Sequence, residues 1–377
     1  MFDLKATENN ARLGQLKTAH GIVDTPSFMA VGTKGAVKLI TTSELEDMGA
    51  QAMISNAFIL YLRPGLEVIK AHGGLHKFMH WHNTSFTDCG GFQVLSLGEE
   101  MNNKDNFLLG KSINGIKFKS PFDGTKHLLN PETVMEIEHA LGSDVAMALD
   151  DMPLYGCTYD QAVESLKNTH TWMKDCKRIH DDKYSEKQLL FGIAQGSVFP
   201  DLRLKSIKYI DSLDFDGIAF GGLCIGEPKE KMHEMVKLST ENCSKEKPRY
   251  LMGVGSPEDL LECISLGVDI FDSVFPTRNA RHGYLFTSKG DIKDITKAQY
   301  REDYTPLDEN CKCDVCKKHT KSYMHHLFKT KEPLGLRLAS YHNLFFIQDL
   351  LKSVRKAISN NEFTDFKKDF LINYKQT

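Results

Sequence analysis

Three thiols crowd together in Cys311-Lys-Cys-Asp-Val-Cys316, and an imidazole, His342, follows after 25 intervening residues. Three thiolates and one imidazole fill the four positions of a tetrahedral zinc ion, and a site with no open position is structural. Lys312, Lys317 and Lys318 favour deprotonated thiols there. His325 and His326 lie nearer to the cysteines and compete with His342 for the fourth place. His342 heads the apolar run HNLFFIQDLL, so as a ligand it would clamp the loop to a helix. The other chemistry-bearing positions are polar residues that each end a short apolar run: Asn56, Asp88, Asp150, Gln195, Gly221–Gly222 and Asp272. One aspartate after a strand is ordinarily a helix N-cap. Several polar ends converging on one mouth form a pocket instead.

The runs that would position them are Ser27–Val31, Ala52–Asn56, Ser85–Asp88, Val145–Asp150, Leu189–Ala194, Gly217–Phe220, Tyr250–Val254 and Val268–Asp272. Amphipathic stretches lie between several of them, among them Pro131–Leu141, Tyr159–His180, Asp201–Leu213 and Pro257–Leu266. Strands that alternate with helices predict a parallel sheet. Eight such units predict a closed (β/α)8 TIM barrel, whose active sites gather at the C-terminal ends of the strands; a doubly wound open sheet is the competing architecture. Two segments break the repeat. Residues Gly98–His127 read as an inserted β-hairpin region, and Ile292–Thr330, with the cysteine cluster, interrupt the last helix. The expected division is therefore a barrel core over 1–291 and a zinc-binding subdomain with closing helices over 292–377.

Composition bounds the class. A chain of 377 residues with 41% hydrophobic and 26% charged residues is an ordinary globular protein with ample chain for a core. The N-terminus MFDLKATENN lacks a signal-peptide pattern, and no apolar stretch approaches the length of a membrane span, so a cytoplasmic protein without membrane contact is expected. Nine cysteines, an odd number, fit reduced thiols in such a compartment. The net charge of −3 hides an asymmetry: residues 289–377 hold 17 Lys and Arg against 12 Asp and Glu. A basic C-terminal part on an acidic body can hold a polyanion locally, although a solvated surface explains the charge equally well.

Several motifs occur in order: TDCGGFQVLSL (Thr87–Leu97), MALDD (Met147–Asp151), FGIAQG (Phe191–Gly196), FGGLCIGE (Phe220–Glu227), YLMGVG (Tyr250–Gly255) and FDSVFPTRNARHG (Phe271–Gly283). With the CKCDVC cluster and YHN (Tyr341–Asn343), the chain resembles the tRNA-guanine transglycosylases, or queuine tRNA-ribosyltransferases, of the bacterial type. The resemblance implies a TIM barrel with a zinc-binding insertion. It also implies exchange of the wobble guanine in tRNAs with GUN anticodons (Asp, Asn, His and Tyr) for a 7-deazaguanine, as in queuosine biosynthesis. Carried over by motif, Asp272 is the nucleophile on the ribose and Asp88 the general acid/base. Asp150, Gln195, Gly222 and Leu223 line the base pocket, with Phe92 and Met252 on the two faces of the purine. Arg278, Arg281 and His282 are placed for anticodon-loop phosphates. Lys38, Tyr323 and His326 resemble the family's subunit contact and imply a homodimer.

Those residue types suit the chemistry. A carboxylate can trap an oxocarbenium-like ribose covalently, and two inversions retain configuration. A second carboxyl protonates the departing guanine. The chain departs from the family at Cys89, where Ser is usual, at Asn56-Ala-Phe-Ile-Leu60 in place of Asn-Thr-Tyr-His-Leu, and at Gly196-Ser197 in place of Gly-Gly. Ile225 stands where queuine users tend to have Gly, and Met152 exceeds the usual Cys or Val, so 7-aminomethyl-7-deazaguanine is the expected base. The pair Asp150–Asp151 looks more like queuine users, and direct queuine incorporation is the alternative. A non-catalytic tRNA-binding accessory subunit is a second alternative, disfavoured because both carboxylates remain. A metal-dependent barrel hydrolase lacks ligands at the strand ends.

Overall fold

The computed structural model describes residues 2–94, 107–185 and 188–374. Leu95–Leu97 of the first motif and the start of the expected hairpin region, residues 98–106, lie outside the described residues. The chain opens with an antiparallel sheet, β1 (Phe2–Glu8), β2 (Ala11–Thr18) and β3 (Gly21–Thr25), which lies outside the strand–helix repeat expected from the sequence. The barrel strands follow: β4 (Ser27–Gly32), β5 (Ala52–Asn56) and β6 (Thr84–Asp88). An inserted sheet of β7 (Leu108–Ser112), β8 (Gly115–Lys119) and β9 (Lys126–Leu129) comes next. The barrel then resumes with β10 (Val145–Met147), β11 (Leu189–Ala194), β12 (Gly217–Phe220), β13 (Arg249–Met252) and β14 (Ile270–Ser273).

The eight barrel strands close in the order β10-β11-β12-β13-β14-β4-β5-β6, and every pairing is parallel. The open-sheet alternative is thereby excluded. β5 and β12 are buried along their whole length, as strands covered on both faces must be. β6 and β13 lie on opposite sides of the closed ring, yet Phe86 and Tyr250 meet with ring centroids 6.1 Å apart. That contact can only pass through the interior, so the barrel is filled by side chains. β10 is shorter than the sequence suggested: the ladder stops at Met147, and Asp150 sits three residues beyond it. Asp150 and Asp272 do not cap helices. The helix Tyr159–Lys183 is capped by Thr158 and Gln161, and Phe275–Arg281 has no side-chain cap.

The helix Pro333–Ser359 joins the two ends of the chain's architecture. Its Gln348 donates to the carbonyl of Phe28 at 3.0 Å and Arg355 to that of Pro26 at 2.7 Å, both at the start of the barrel. Its N-terminal half helps bury a second, smaller core built from Leu285, Ile292, Ile295, Leu307, Val315, Met324 and Leu327.

At the N-terminal end of the barrel, Asp144 forms a clasp. It accepts from the His20 ring at 2.8 Å, from the amide of Ser85 at 2.8 Å and from His76 Nε2 at 3.0 Å. The two imidazoles stack at 3.6 Å. His76 Nε2 also lies 3.1 Å from the carbonyl of Asn83, so it faces two acceptors and carries a proton. The trio is a hydrogen-bonded junction between the β2–β3 turn, the helix Leu75–Met79 and the starts of β6 and β10, not a set of free metal donors. Burial raises the Asp144 pKa, but hydrogen bonds from His76, Ser85 and His20 outweigh it and leave the carboxyl below its usual 3.8. A depressed carboxylate contributes stability above its unfolded pKa and loses it as pH falls through the folded one. Asp144→Ala should therefore cost about 3 kcal/mol at neutral pH, since buried donors lose their partner. Urea midpoints of both proteins check this, and the gap should narrow below about pH 4.

Candidate active site and metal centre

The barrel mouth gathers most of the polar strand ends. Asn56 and Asp88 are register partners on β5 and β6, and Asn56 Nδ2 donates to Asp88 Oδ2 at 2.9 Å. Asn56 also caps the next helix by accepting from the amide of Ile59 at 2.7 Å, so its side chain is fixed at both ends. Gln93 donates to the same Asp88 oxygen at 3.1 Å. Asp88 Oδ1 is shielded from water and has no hydrogen-bond partner among the described residues. Desolvation and the nearby charge of Asp272 push the Asp88 pKa up to about 7.

Asp272 closes the opposite side of the mouth, on β14. Its Oδ1 accepts from the buried Tyr250 hydroxyl at 2.6 Å and from the amide of Gly253 at 3.2 Å. Burial raises its pKa, while these two donors act in the other direction. The two carboxyls thus sit in one mouth with different support: Asp272 holds a hydroxyl and an amide, and Asp88 keeps one oxygen bare. Met252, the register partner of Asp272, is half-buried beside it.

Asp150, Gln195 and the glycine pair form a second cluster. Gln195 Nε2 donates to Asp150 Oδ2 at 2.5 Å, and the Cys89 thiol donates to Asp150 Oδ1 at 3.3 Å. Burial pushes the Asp150 pKa up to about 6 despite these two bonds. A Cβ on Gly221 or Gly222 would stand 2.4 Å from the Gln195 amide, and Gly222 has φ +67°, so both positions require glycine. Gln195 Oε1 is buried without a hydrogen-bond partner among the described residues. Leu223 is 3% exposed, whereas Phe92 is 38% exposed, a ring left uncovered at the mouth and not packed into the core.

Arg278 and Arg281 lie on the helix that leaves β14, and His282 caps it. Arg278 and His282 are exposed, and no carboxylate among the described residues forms a salt bridge with Arg278 or Arg281. Arg281 donates to the carbonyl of Thr277 at 2.8 Å. The motif reading missed three contributors: Tyr250, Gln93 and Glu227. The Glu227 carboxylate accepts from the amides of Cys224 and, at 3.0 Å, Ile225, and so fixes the loop after Leu223. All three lie inside the quoted motifs or next to them, but only the fold shows what they touch. Of the departures in this stretch, Ala57 and Phe58 are buried in the helix that follows β5, while Ile59, in the place of the usual His, is half-buried there.

Cys311, Cys313, Cys316 and His342 converge, with all four donor atoms within 4.8 Å of one another. The sulfurs lie 3.8, 3.4 and 3.4 Å from His342 Nδ1. Tetrahedral coordination with ordinary bond lengths puts sulfur and nitrogen about 3.5 Å apart, so the set could hold a metal ion. His342 Nε2 donates to the carbonyl of Phe286 at 2.7 Å, which leaves Nδ1 as the lone-pair nitrogen facing the sulfurs. His325 is engaged elsewhere, with Nδ1 2.9 Å from the carbonyl of Ile295. Purified protein should carry one metal ion per chain by elemental analysis. Cys313→Ala should lose it and unfold the smaller core at lower temperature; metal-free wild-type protein of full stability would contradict this.

Comparison with known proteins agrees with the geometry. Residues 7–376 match the family described as Queuine tRNA-ribosyltransferase. A protein of that description from Francisella tularensis subsp. novicida is 47% identical over 99% of both chains. Relatives of the same description from Thermoanaerobacter pseudethanolicus and Caldanaerobacter subterraneus subsp. tengcongensis are 47% and 46% identical, over 98% of this chain and 96% of theirs. With two carboxylates in one barrel mouth, a Cys3His centre behind it and near-complete coverage by these relatives, the chain belongs to the queuine tRNA-ribosyltransferase family.

Proposed function

We propose that this enzyme exchanges the wobble guanine of GUN-anticodon tRNAs (Asp, Asn, His and Tyr) for 7-aminomethyl-7-deazaguanine, through a covalent bond between Asp272 and the ribose. The observation that carries the reading is the unequal environment of the two carboxyls. Asp88, with a pKa near 7 and one bare oxygen, holds a proton to give to departing guanine. Asp272, supported by Tyr250 and Gly253, is oriented as the nucleophile on the anomeric carbon. Asp88 then removes a proton from the incoming base, which displaces Asp272 and restores the configuration. Asp150 accepts from the purine N–H groups. Gln195 Nε2 keeps a second proton for the carbonyl, and an incoming base replaces the Gln195–Asp150 bond. Phe92 and Met252 cover the ring faces; Gly222 and Leu223 supply the backbone edge.

The same reading makes Arg278, Arg281 and His282 contacts to tRNA phosphates. It assigns zinc to the Cys3His set, because three thiolates and an imidazole with no open position suit that ion in a structural role. Zinc there holds the chain's 292–377 part against the barrel core of 1–291. A cytoplasmic homodimer, joined near Lys38, Tyr323 and His326, completes it. No helix among the described residues is long and apolar enough to cross a membrane.

Two observations favour the aminomethyl base over queuine. Met152 is buried beside Gly222, and the half-buried Ile225 is fixed through its amide by Glu227. Overfilling such a pocket costs about 1–3 kcal/mol, or roughly 5- to 150-fold in kcat/KM. Asp151, the queuine-like signal, turns away from Asp150 towards Lys111 and Asn168.

Asp272→Ala should keep its fold and tRNA binding and lose more than about 100-fold in labelled-guanine exchange, roughly 2.7 kcal/mol of barrier. Retention of more than that activity would remove Asp272 from the chemistry. Formation of the covalent complex in a single turnover needs protonated Asp88, so its rate should fall about tenfold per pH unit above about 7. Asp88→Asn should be slow and lack that limb. Comparing kcat/KM for the two bases on one tRNA tests the preference; equal use would show that Ile225 and Met152 do not gate the pocket.

A further inference from the structure

The inserted sheet β7–β9 is tied to the base pocket by an ion pair to a buried carboxylate. Lys111 on β7 donates to Asp151 Oδ1 at 2.7 Å; the Asp151 side chain is fully buried and that of Lys111 is 28% exposed. Every other polar atom of Asp151 is occupied as well. Oδ2 accepts from Asn168 at 2.9 Å, the amide donates to Thr169 Oγ1 at 3.0 Å, and the carbonyl accepts from the same hydroxyl at 3.2 Å. One turn further along the helix Tyr159–Lys183, Trp172 Nε1 donates at 2.6 Å to the carbonyl of Ile113, in the β7–β8 turn. A single helix face therefore grips both Asp151 and the inserted sheet.

The position of this junction in the chain gives it a consequence. Asp151 lies between Asp150 and Met152, and the β10 ladder has already ended at Met147. Strand pairing therefore does not fix Asp150, and its neighbour's contacts do that instead. We propose that Lys111 and Asp151 are positioning residues that hold the Asp150–Met152 segment in register for the base, so that the inserted sheet sets base affinity from outside the pocket. Lys111 itself touches none of the proposed base contacts; it acts through Asp151. This inference rests on the assignment of Asp150 to base recognition.

Three variants separate positioning from mere stability. Lys111→Met alone leaves a buried carboxylate unpaired and should destabilise the fold. Lys111→Met with Asp151→Asn removes both charges, while the carboxamide oxygen introduced by Asp151→Asn can still accept from Asn168. The thermal midpoint of this double variant should therefore return close to that of wild type. In this stable double variant KM for the free base should rise about tenfold or more, the equivalent of roughly 1.4 kcal/mol. KM for tRNA, which the proposed phosphate contacts set, should stay within twofold, about 0.4 kcal/mol. Lys111→Arg should restore the wild-type base KM. An unchanged base KM in the double variant would overturn the proposal, as would equal changes in both KM values. If the wild type exchanges no guanine at all, the functional reading fails instead. Amide exchange of residues 147–152, faster in the double variant than in wild type, still reports the tether by itself; unchanged exchange there also counts against the proposal.

Discussion

Holding two half-buried carboxyls, Asp88 and Asp272, close together at one end of a closed barrel is the constraint to which the rest of the site answers. A carboxylate loses several kcal/mol of hydration in such a place, and two of them also repel each other. The structure answers asymmetrically. Tyr250, on the neighbouring strand β13, places its hydroxyl on Asp272, and the Gly253 amide adds a second donor. Both side-chain donors to Asp88 fall on one oxygen, and desolvation with the charge of Asp272 outweighs them and the Ala57 and Gly90 amides, leaving a pKa near 7. One group is thereby supported as an anion while the other is poised between its two forms. Two aspartates on a parallel sheet come to differ because of what their neighbours donate.

The same logic governs the recognition cluster and the metal centre. Asp150 is buried, and Gln195 and Cys89 each donate to one of its oxygens, so its carboxyl is not left without partners. Cys89 in place of the usual serine is tolerated because a thiol still reaches Asp150 Oδ1, as a weaker donor. Around Cys311, Cys313 and Cys316 the His342 ring is oriented by the Phe286 carbonyl. The centre therefore links the loop to the long helix Pro333–Ser359, whose far half reaches the start of β4 through Gln348. Loss of order at the metal would be felt at the barrel through that one rigid element.

The sequence by itself determined a great deal, because parallel strands buried on both faces read as short apolar runs and their polar ends read as the rim of a mouth. All eight barrel strands, the Cys3His set and the pocket residues Asp88, Asp150, Gln195 and Asp272 were legible in this way, helped by motifs whose order is itself informative. The register partners of those residues were not. That Asn56 serves Asp88, that Tyr250 serves Asp272 from the neighbouring strand, and that Asp151 turns out to Lys111 all depend on which elements become neighbours once the ring closes. Distances in the chain, from 22 residues for Tyr250 and Asp272 to 57 for Phe286 and Asn343, carry no pairing signal of their own. The N-terminal sheet is less legible for a related reason: β1–β3 follow one another through tight turns with no helix between them and so show no strand–helix period. Residue types and local period specified what could react; only closure of the barrel decided which neighbours would set each group's charge, because electrostatics and hydrogen bonds act through space and not along the chain.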